Sequence, residues 1–239
     1  MSISKNKIFC FIPAKAASTR LKKKNILKLA GKELIYYPIN NAIKSGLFEQ
    51  EDIILSTESD EIKLIAEKYG ANVPYLREEK LARDPYGVVD VLLDFLERFP
   101  NYNDYDSVCI LLPTAPLMVV EDLMSAVEKF EGGGFDVLMS VTETEHNAYR
   151  TISIGKDNFI KPIFPNHIRK KSQELESTYR INGALIIIDV AELVISKTYF
   201  LPKWGAYNMP SNRSIDIDNQ EGYEYAKFLI STKQLDAEA

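Results

Sequence analysis

The chain has 239 residues, of which 46% are hydrophobic and 26% charged, with a formal net charge of −5. That balance supports one sizeable globular core, argues against a general nucleic-acid binder, and contains no apolar run near the roughly 20 residues a membrane span needs. The charge is unevenly spread: residues 1–32 hold nine Lys or Arg and no acid, and the rest carries 20 basic against 34 acidic residues, a net of −14. A basic start on an acidic protein suggests a local anion site; a solvated basic edge is the equal alternative on charge alone. The apolar run at residues 8–13 is too short for a signal peptide and leads into a basic loop, so a cytoplasmic protein is expected. Cys10 and Cys109 each lie inside apolar runs and read as buried thiols of a reducing compartment. No Cys/His cluster has zinc spacing, and neither His146 nor His167 stands beside a nucleophile.

Taken in chain order, residues 8–13 form a continuous apolar run, as expected of a strand buried on both faces. Residues 34–45 show helical spacing with Gly46 as a C-terminal cap, and Pro38 fits only if the helix starts late enough to put it in the first turn. A strand at 53–56, a helix at 60–69 closed by Gly70, a helix at 88–99 before Pro100, a strand at 107–112, a helix at 121–130 ending in three glycines and a strand at 135–141 follow. This alternation predicts an α/β fold: a mostly parallel, Rossmann-like sheet with helices on both faces, binding ligands at the strands' carboxyl ends. The rhythm breaks at about 142–182, a polar stretch with Pro162, Pro165 and the basic cluster Arg169-Lys-Lys171, expected to be an inserted arm of a single domain spanning 1–239. Strands at 184–188 and 214–218 and a helix at 221–230 complete the reading.

Two segments carry chemistry. The loop after the first strand, Ile12-Pro-Ala-Lys-Ala-Ala-Ser-Thr-Arg-Leu-Lys-Lys-Lys-Asn-Ile26, has small residues that let backbone approach a ligand, and Lys15, Arg20 and Lys22 to Lys24 supply charge. Its N–H groups are expected to form an anion nest for phosphates, although it is neither a P-loop nor a dinucleotide fingerprint. In Arg213-Ser-Ile-Asp-Ile-Asp218, strand alternation would put Asp216 and Asp218 on one face and Ile215 and Ile217 in the core. Paired carboxylates suit Mg²⁺. A solvated acidic face, or Asp218 capping the next helix, is the alternative that spacing leaves open.

The loop resembles the CTP-binding signature of the CMP-sialic acid synthetases, the N-acylneuraminate cytidylyltransferases, with Lys15, Ala17 and Thr19 where that family has Arg, Gly and Lys. Leu112-Pro-Thr-Ala-Pro-Leu117 resembles the family's Q-P-T-S-P-L-R, with Leu112 for the Gln, and lacks the Q-G-D-E-P of Kdo enzymes. Leu81-Ala-Arg-Asp84 resembles a segment near the nucleotide. Lys171-Ser-Gln-Glu-Leu175 and Pro162-Ile-Phe-Pro165 are similar to pseudaminic acid cytidylyltransferases, whereas Asn182-Gly-Ala184 resembles the sialic acid enzymes. The resemblance implies CTP and a nine-carbon sugar acid as substrates. It gives Mg²⁺ on Asp216 and Asp218 with Lys24 beside them, the nucleotide on Lys15, Ser18, Arg20, Asn25 and Asp84, and the acid on Gln173, Arg180 and Asn182. Arg180 is expected to reach a neighbouring subunit, hence a homodimer whose dimerisation arm is the insertion. A CMP-pseudaminate or CMP-legionaminate synthetase is the alternative enzyme, and a non-catalytic nucleotide-binding homologue the alternative of another class.

Overall fold

A computed structural model of the chain describes residues 6–232. The elements run β1 (Ile8–Pro13), β2 (Lys28–Leu29), β3 (Lys32–Glu33), α1 (Tyr36–Ser45), β4 (Ile53–Ser56), α2 (Asp60–Lys68), α3 (Val88–Arg98), β5 (Ser107–Leu111), α4 (Val120–Gly133) and β6 (Val137–Glu143). They continue with β7 (Ile152–Ile154), β8 (Ile160–Pro162), β9 (Tyr179–Asp189), α5 (Val190–Ser196), β10 (Trp204–Asn208) and α6 (Gln220–Ser231). α1 begins at Tyr36, so Pro38 falls in the first turn, where its missing N–H costs no helical bond, and Gly46 closes the helix at φ 61°.

Six strands form one sheet in the order β10-β6-β9-β5-β1-β4. β1 pairs in parallel with β4 and β5, and β6 with β10; β9 alone runs against its neighbours β5 and β6. Strand alternation divides the interior. On one face Ile8, Cys10, Ile12, Leu55 and Ile187 pack against Ile39 of α1, Ile62 of α2 and Leu123 of α4. On the other, Phe9, Phe11, Ile54, Ile110 and Ile188 pack against Leu92 and Phe95 of α3 and Leu193 of α5. Cys10 and Cys109 sit opposite each other in the β1–β5 ladder as buried free thiols. Burial pushes the Cys109 thiol well up. A third cluster, outside the sheet, joins Leu29 and Leu34 of the β2–β3 hairpin region to Ile217 and to Ala226 and Leu229 of α6.

The elements depart from the sequence expectation by addition and by loss. The β2–β3 hairpin, α5 and β10 were not foreseen. The 214–218 segment is irregular chain rather than a strand: among the described residues its backbone is tied to a distant segment's backbone by Ile217 N–H to Thr114 O at 2.7 Å. The inserted arm is narrower than 142–182, since Thr142 and Glu143 end β6 and Tyr179 to Asn182 begin β9. It carries the β7–β8 hairpin, and not one residue from 144 to 178 is buried. Among the described residues no helix is long and apolar enough to cross a membrane.

Candidate active site

The carboxyl ends of β1 and β5 open onto a cleft of about 210 Å³. Lys15, Ser18, Lys24 and Asn25 line one side, Leu81, Tyr86 and Val88 another, and Leu112 to Thr114 the floor. The loop after β1 starts from Ala14, whose N–H donates to Ser56 O at 2.9 Å, and turns sharply where Ser18 N–H reaches Ala16 O at 2.8 Å. Buried Asn25 closes it, donating through Nδ2 to Lys15 O at 2.8 Å. Lys15 is exposed, and the Oγ of Ser18, another lining residue, is buried without a hydrogen-bond partner. The expected anion nest is corrected in one respect: the Ala16 and Ala17 N–H groups are already taken by the carboxylate of Glu58, at 2.6 and 3.4 Å. At those two positions no backbone N–H is left for an anion, and Lys15 is the exposed cation of the loop that lines the cleft.

The 214–218 segment lies beside the cleft, tied to its lining residues Thr114 and Lys24, with the expected alternation despite its lack of strand pairing: Ile217 is buried, Ile215 packs beside it, and Asp216 and Asp218 turn the other way. Thr114 holds it twice, through the backbone bond to Ile217 and a side-chain bond to Asp216. Asp218 does not cap α6; Asn219 does, its Oδ1 accepting Gly222 N–H at 2.9 Å. Asp218 instead binds Lys24 Nζ at 2.9 Å and Arg20 at 3.0 Å. Burial acts to raise its carboxyl, but Lys24 and Arg20 outweigh it and hold Asp218 below the usual carboxylate range. Asp216 lies above that range, chiefly through burial and also through Asp218; Thr114, Lys24 and Arg180 oppose the shift. Its side chain keeps an opening to solvent, which limits how far burial lifts it.

Behind the carboxylates, β9 bulges against β6 between the pairs Met139–Ile186 and Val141–Ile181. Gly183 takes φ 70° in this bulge, and a side chain there would stand 3.7 Å from Asp216 Oδ2. Asn182 was expected to contact the acid. The structure instead buries it, its Oδ1 accepting from Ser140 Oγ at 2.6 Å and its Nδ2 donating to Ser214 Oγ at 2.8 Å, so that it clamps the bulge to the carboxylate segment. Arg180, expected to reach a neighbouring subunit, donates to Ser214 O of its own chain at 3.0 Å.

The fold thus brings together Lys15, Ser18, Arg20, Lys24, Asn25, Arg180, Asp216 and Asp218. It does not bring Gln173, which is exposed on the arm, nor does Asp84 line the cleft; Asp84 lies on the turn between the lining residues Leu81 and Tyr86. Sequence reasoning missed Thr114 as the anchor of the carboxylates, and it missed Glu58 and Arg77. The last two form a buried ion pair at 2.9 Å, and Arg77 lines the cleft. The available signal for Glu58 was a polar residue just past the carboxyl end of a fully buried strand.

Among the described residues no group of three or more His, Cys, Asp and Glu side chains could hold a metal. A pair of hard carboxylates at a cleft edge, one of them disfavoured in its charged form, fits Mg²⁺, which keeps water and substrate phosphates among its ligands.

A family model described as cytidylyltransferase matches residues 9–234. Pseudaminic acid cytidylyltransferase of Campylobacter jejuni is 34% identical over 93% of this chain and 96% of its own length. The CMP-N,N'-diacetyllegionaminic acid synthase of Legionella pneumophila is 32% identical over 95% and 98%. An N-acylneuraminate cytidylyltransferase of Streptococcus agalactiae is 29% identical over 91% of this chain but only 52% of its own length. In fold, the chain matches the structure of CMP:2-keto-3-deoxy-manno-octonic acid synthetase complexed with CTP, with a TM-score of 0.70 and 12% identity over 95% of this chain and 99% of that one. A basic loop, a cleft at the strand ends and a carboxylate pair facing Lys24, on a chain matched over nearly its whole length, make this protein a nucleotidyltransferase of the cytidylyltransferase family.

Proposed function

We propose that the protein activates a sialic-type nine-carbon sugar acid, converting CTP and the acid to the CMP-acid and pyrophosphate. The observation that carries the reading is the meeting of Asp216 and Asp218 with Lys24 and Arg20 beside the cleft. Lys15, Ser18, Arg20 and Lys24 bind and orient the triphosphate. The anomeric hydroxyl of the acid forms a new P–O bond to the α-phosphorus, the bond from that phosphorus to the bridging oxygen breaks, pyrophosphate leaves, and the hydroxyl proton passes to solvent. Lys24 neutralises charge that builds on the phosphates, and the closed Asn25–Lys15 loop fixes their position, so the protein's share of catalysis is positioning and charge stabilisation. Mg²⁺, held by Asp216 and Asp218, would polarise the phosphoryl group and lower the barrier to loss of the hydroxyl proton.

The 34% identity to a pseudaminic acid cytidylyltransferase and the Lys171-Ser-Gln-Glu-Leu175 segment favour a second reading, CMP-pseudaminate synthesis, over the same cleft. We further propose a homodimer joined through the arm, acting in the cytoplasm, where two buried thiols stay reduced. Pyrophosphate release from CTP and Mg²⁺ is to be measured against N-acetylneuraminic, legionaminic, pseudaminic and Kdo acids. Release with one acid identifies the substrate; CTP binding with no release from any would favour the non-catalytic reading. Asp216→Ala is expected to lose about 10²-fold or more in turnover while remaining folded, and full activity in that variant would remove the carboxylate pair from the mechanism.

A further inference from the structure

The geometry points to Glu58 as a positioning residue for the nucleotide end of the cleft, acting through the loop after β1 and through Arg77. The inference rests on the reading of the cleft as a CTP site. Glu58 lies two residues past β4, where three segments meet: Ala14 N–H donates to Ser56 O at 2.9 Å, and Arg77 N–H donates to Thr57 O at 3.0 Å. Its two oxygens divide the work. Oε1 accepts from Ala16 N–H at 2.6 Å and Ala17 N–H at 3.4 Å, and Oε2 accepts from Arg77 Nη2 at 2.9 Å. The two side chains are 8% and 2% exposed, so neither end of the bridge is softened by water.

Two consequences follow for a nucleotide. Backbone N–H groups converging on one oxygen are what a flexible loop would otherwise offer to a phosphate; with Glu58 in place they are spent on fixing the loop before ligand arrives, so ligand binding need not supply that ordering. Glu58 also offsets the charge of Arg77, a residue that lines the cleft, and leaves its buried Nε without a hydrogen-bond partner. Arg77 therefore lines the cleft as a fixed side chain whose charge is offset. The pattern of unsatisfied groups supports this. Among the described residues the buried side-chain polar atoms without a partner are Ser18 Oγ, Ser56 Oγ and Arg77 Nε, and all three belong to the segments that Glu58 joins. Two of the three residues, Ser18 and Arg77, line the cleft.

The test uses the full chain and two variants. Glu58→Gln keeps the shape but loses the charge and sets a donor amide against another donor; Glu58→Asp keeps the charge but is one methylene too short to hold both partners. CTP binding is measured by calorimetry without sugar acid, at a temperature where circular dichroism shows the variant folded. KM and kcat follow from pyrophosphate release, and amide exchange at Ala16 and Ala17 is read without nucleotide. The expected result for Glu58→Gln is CTP binding and CTP KM weakened roughly 10- to 100-fold, the loss set by charge-assisted hydrogen bonds. The acid KM and the kcat at saturating CTP change by less than about threefold, protection at Ala16 and Ala17 is lost, and Glu58→Asp recovers part of each effect. Wild-type or tighter CTP binding by a folded Glu58→Gln variant overturns the proposal, as does a fall in kcat with CTP KM unchanged. If Glu58→Gln does not fold, the same measurements on Glu58→Asp decide: weakened CTP binding supports the proposal, and wild-type binding overturns it. Should the wild type bind no CTP while Ala16 and Ala17 are protected only when Glu58 is present, the loop role stands and the nucleotide reading fails.

Discussion

At the scale of single residues, the two carboxylates of the site are held in opposite ways. Asp218 is a paired anion, kept below the usual carboxylate range by Lys24 and Arg20 against the effect of burial. Asp216 is raised by burial and by its neighbour Asp218, so in the metal-free protein its charge opposes folding. A divalent cation reverses that balance. Asp216→Asn is therefore expected to melt at a higher temperature than the wild type in EDTA, and to lose most of the stabilisation that millimolar Mg²⁺ gives the wild type. Scanning calorimetry under both conditions checks this; equal stabilisation of both proteins by Mg²⁺ would place the ion elsewhere. The i, i+2 spacing made the pair legible in the sequence, because Ile217 on the opposite face had to be buried. The roles of Asn182 and Arg180 were not legible. Asn-Gly reads as a turn, and nothing local shows that the Asn amide would be consumed between Ser140 and Ser214 in a bulge made by a strand some 40 residues away in sequence. A polar residue's partner decides whether it faces ligand or protein, and the partner here is non-local.

At the scale of elements, β1, β4 and β5 were readable because strands buried on both faces are apolar at every position. β10, with Trp204, Gly205 and Asn208, has no such run; it exists because β6 presents a free edge. The 214–218 segment has strand-like alternation without a strand, so besides its backbone bond to Thr114 its position comes from side chains. One is Arg213, which grips Asp122 of α4 with two bonds of 2.8 Å, Nε to Oδ2 and Nη2 to Oδ1. Asp122 is buried and also accepts Val119 N–H at 3.2 Å. Asp122→Asn leaves Arg213 without its counter-charge and is expected to cost about 3 kcal/mol in urea unfolding, with activity falling as the carboxylate segment loosens. Arg213→Lys should recover charge but not the two-pronged grip. Another tie between elements, Tyr69 at the end of α2 to Glu33 of β3, has a pH signature. The Tyr69 hydroxyl, as the largest influence, holds Glu33 below the usual carboxylate range, and Tyr69 is itself pushed up to about 12. A carboxyl depressed in the folded state contributes stability above its unfolded pKa, and that contribution disappears as pH falls through the depressed value. Tyr69→Phe should therefore lose about 1–2 kcal/mol at pH 7 and clearly less at pH 3. A difference from wild type that does not shrink on acidification would mean the tyrosine contributes packing alone.

At the scale of the whole molecule, the sheet and its two flanking layers account for nearly every buried side chain, and the arm for none from 144 to 178. A segment of that length cannot offset its conformational entropy without burying apolar surface, yet its hairpin carries apolar side chains outward. Ile154 pairs with Ile160 across β7 and β8, and with Phe159 between the strands these are 68%, 62% and 69% exposed. Ile163 beyond β8, and Tyr179 and Ile181 where β9 leaves the arm, are also exposed. Apolar surface gathered this way on one projecting element is what an interface requires, and a second copy of the chain is the proposed cover. In the single chain Arg180 secures Ser214, two residues from Asp216, so the arm and the site are linked through the first residues of β9. Dimerisation should accordingly affect the site by ordering the arm at its root. Phe159→Glu combined with Ile160→Lys is expected to turn a dimer into a monomer in sedimentation velocity, to speed amide exchange through β7 and β8, and to lower turnover by reducing the order of Arg180. The Lys15–Asn25 loop, tied to β4 instead, should exchange as before. A wild-type chain that sediments as a monomer at micromolar concentration, or a charged double variant that stays dimeric, would detach the arm from assembly and leave its apolar surface to some other contact.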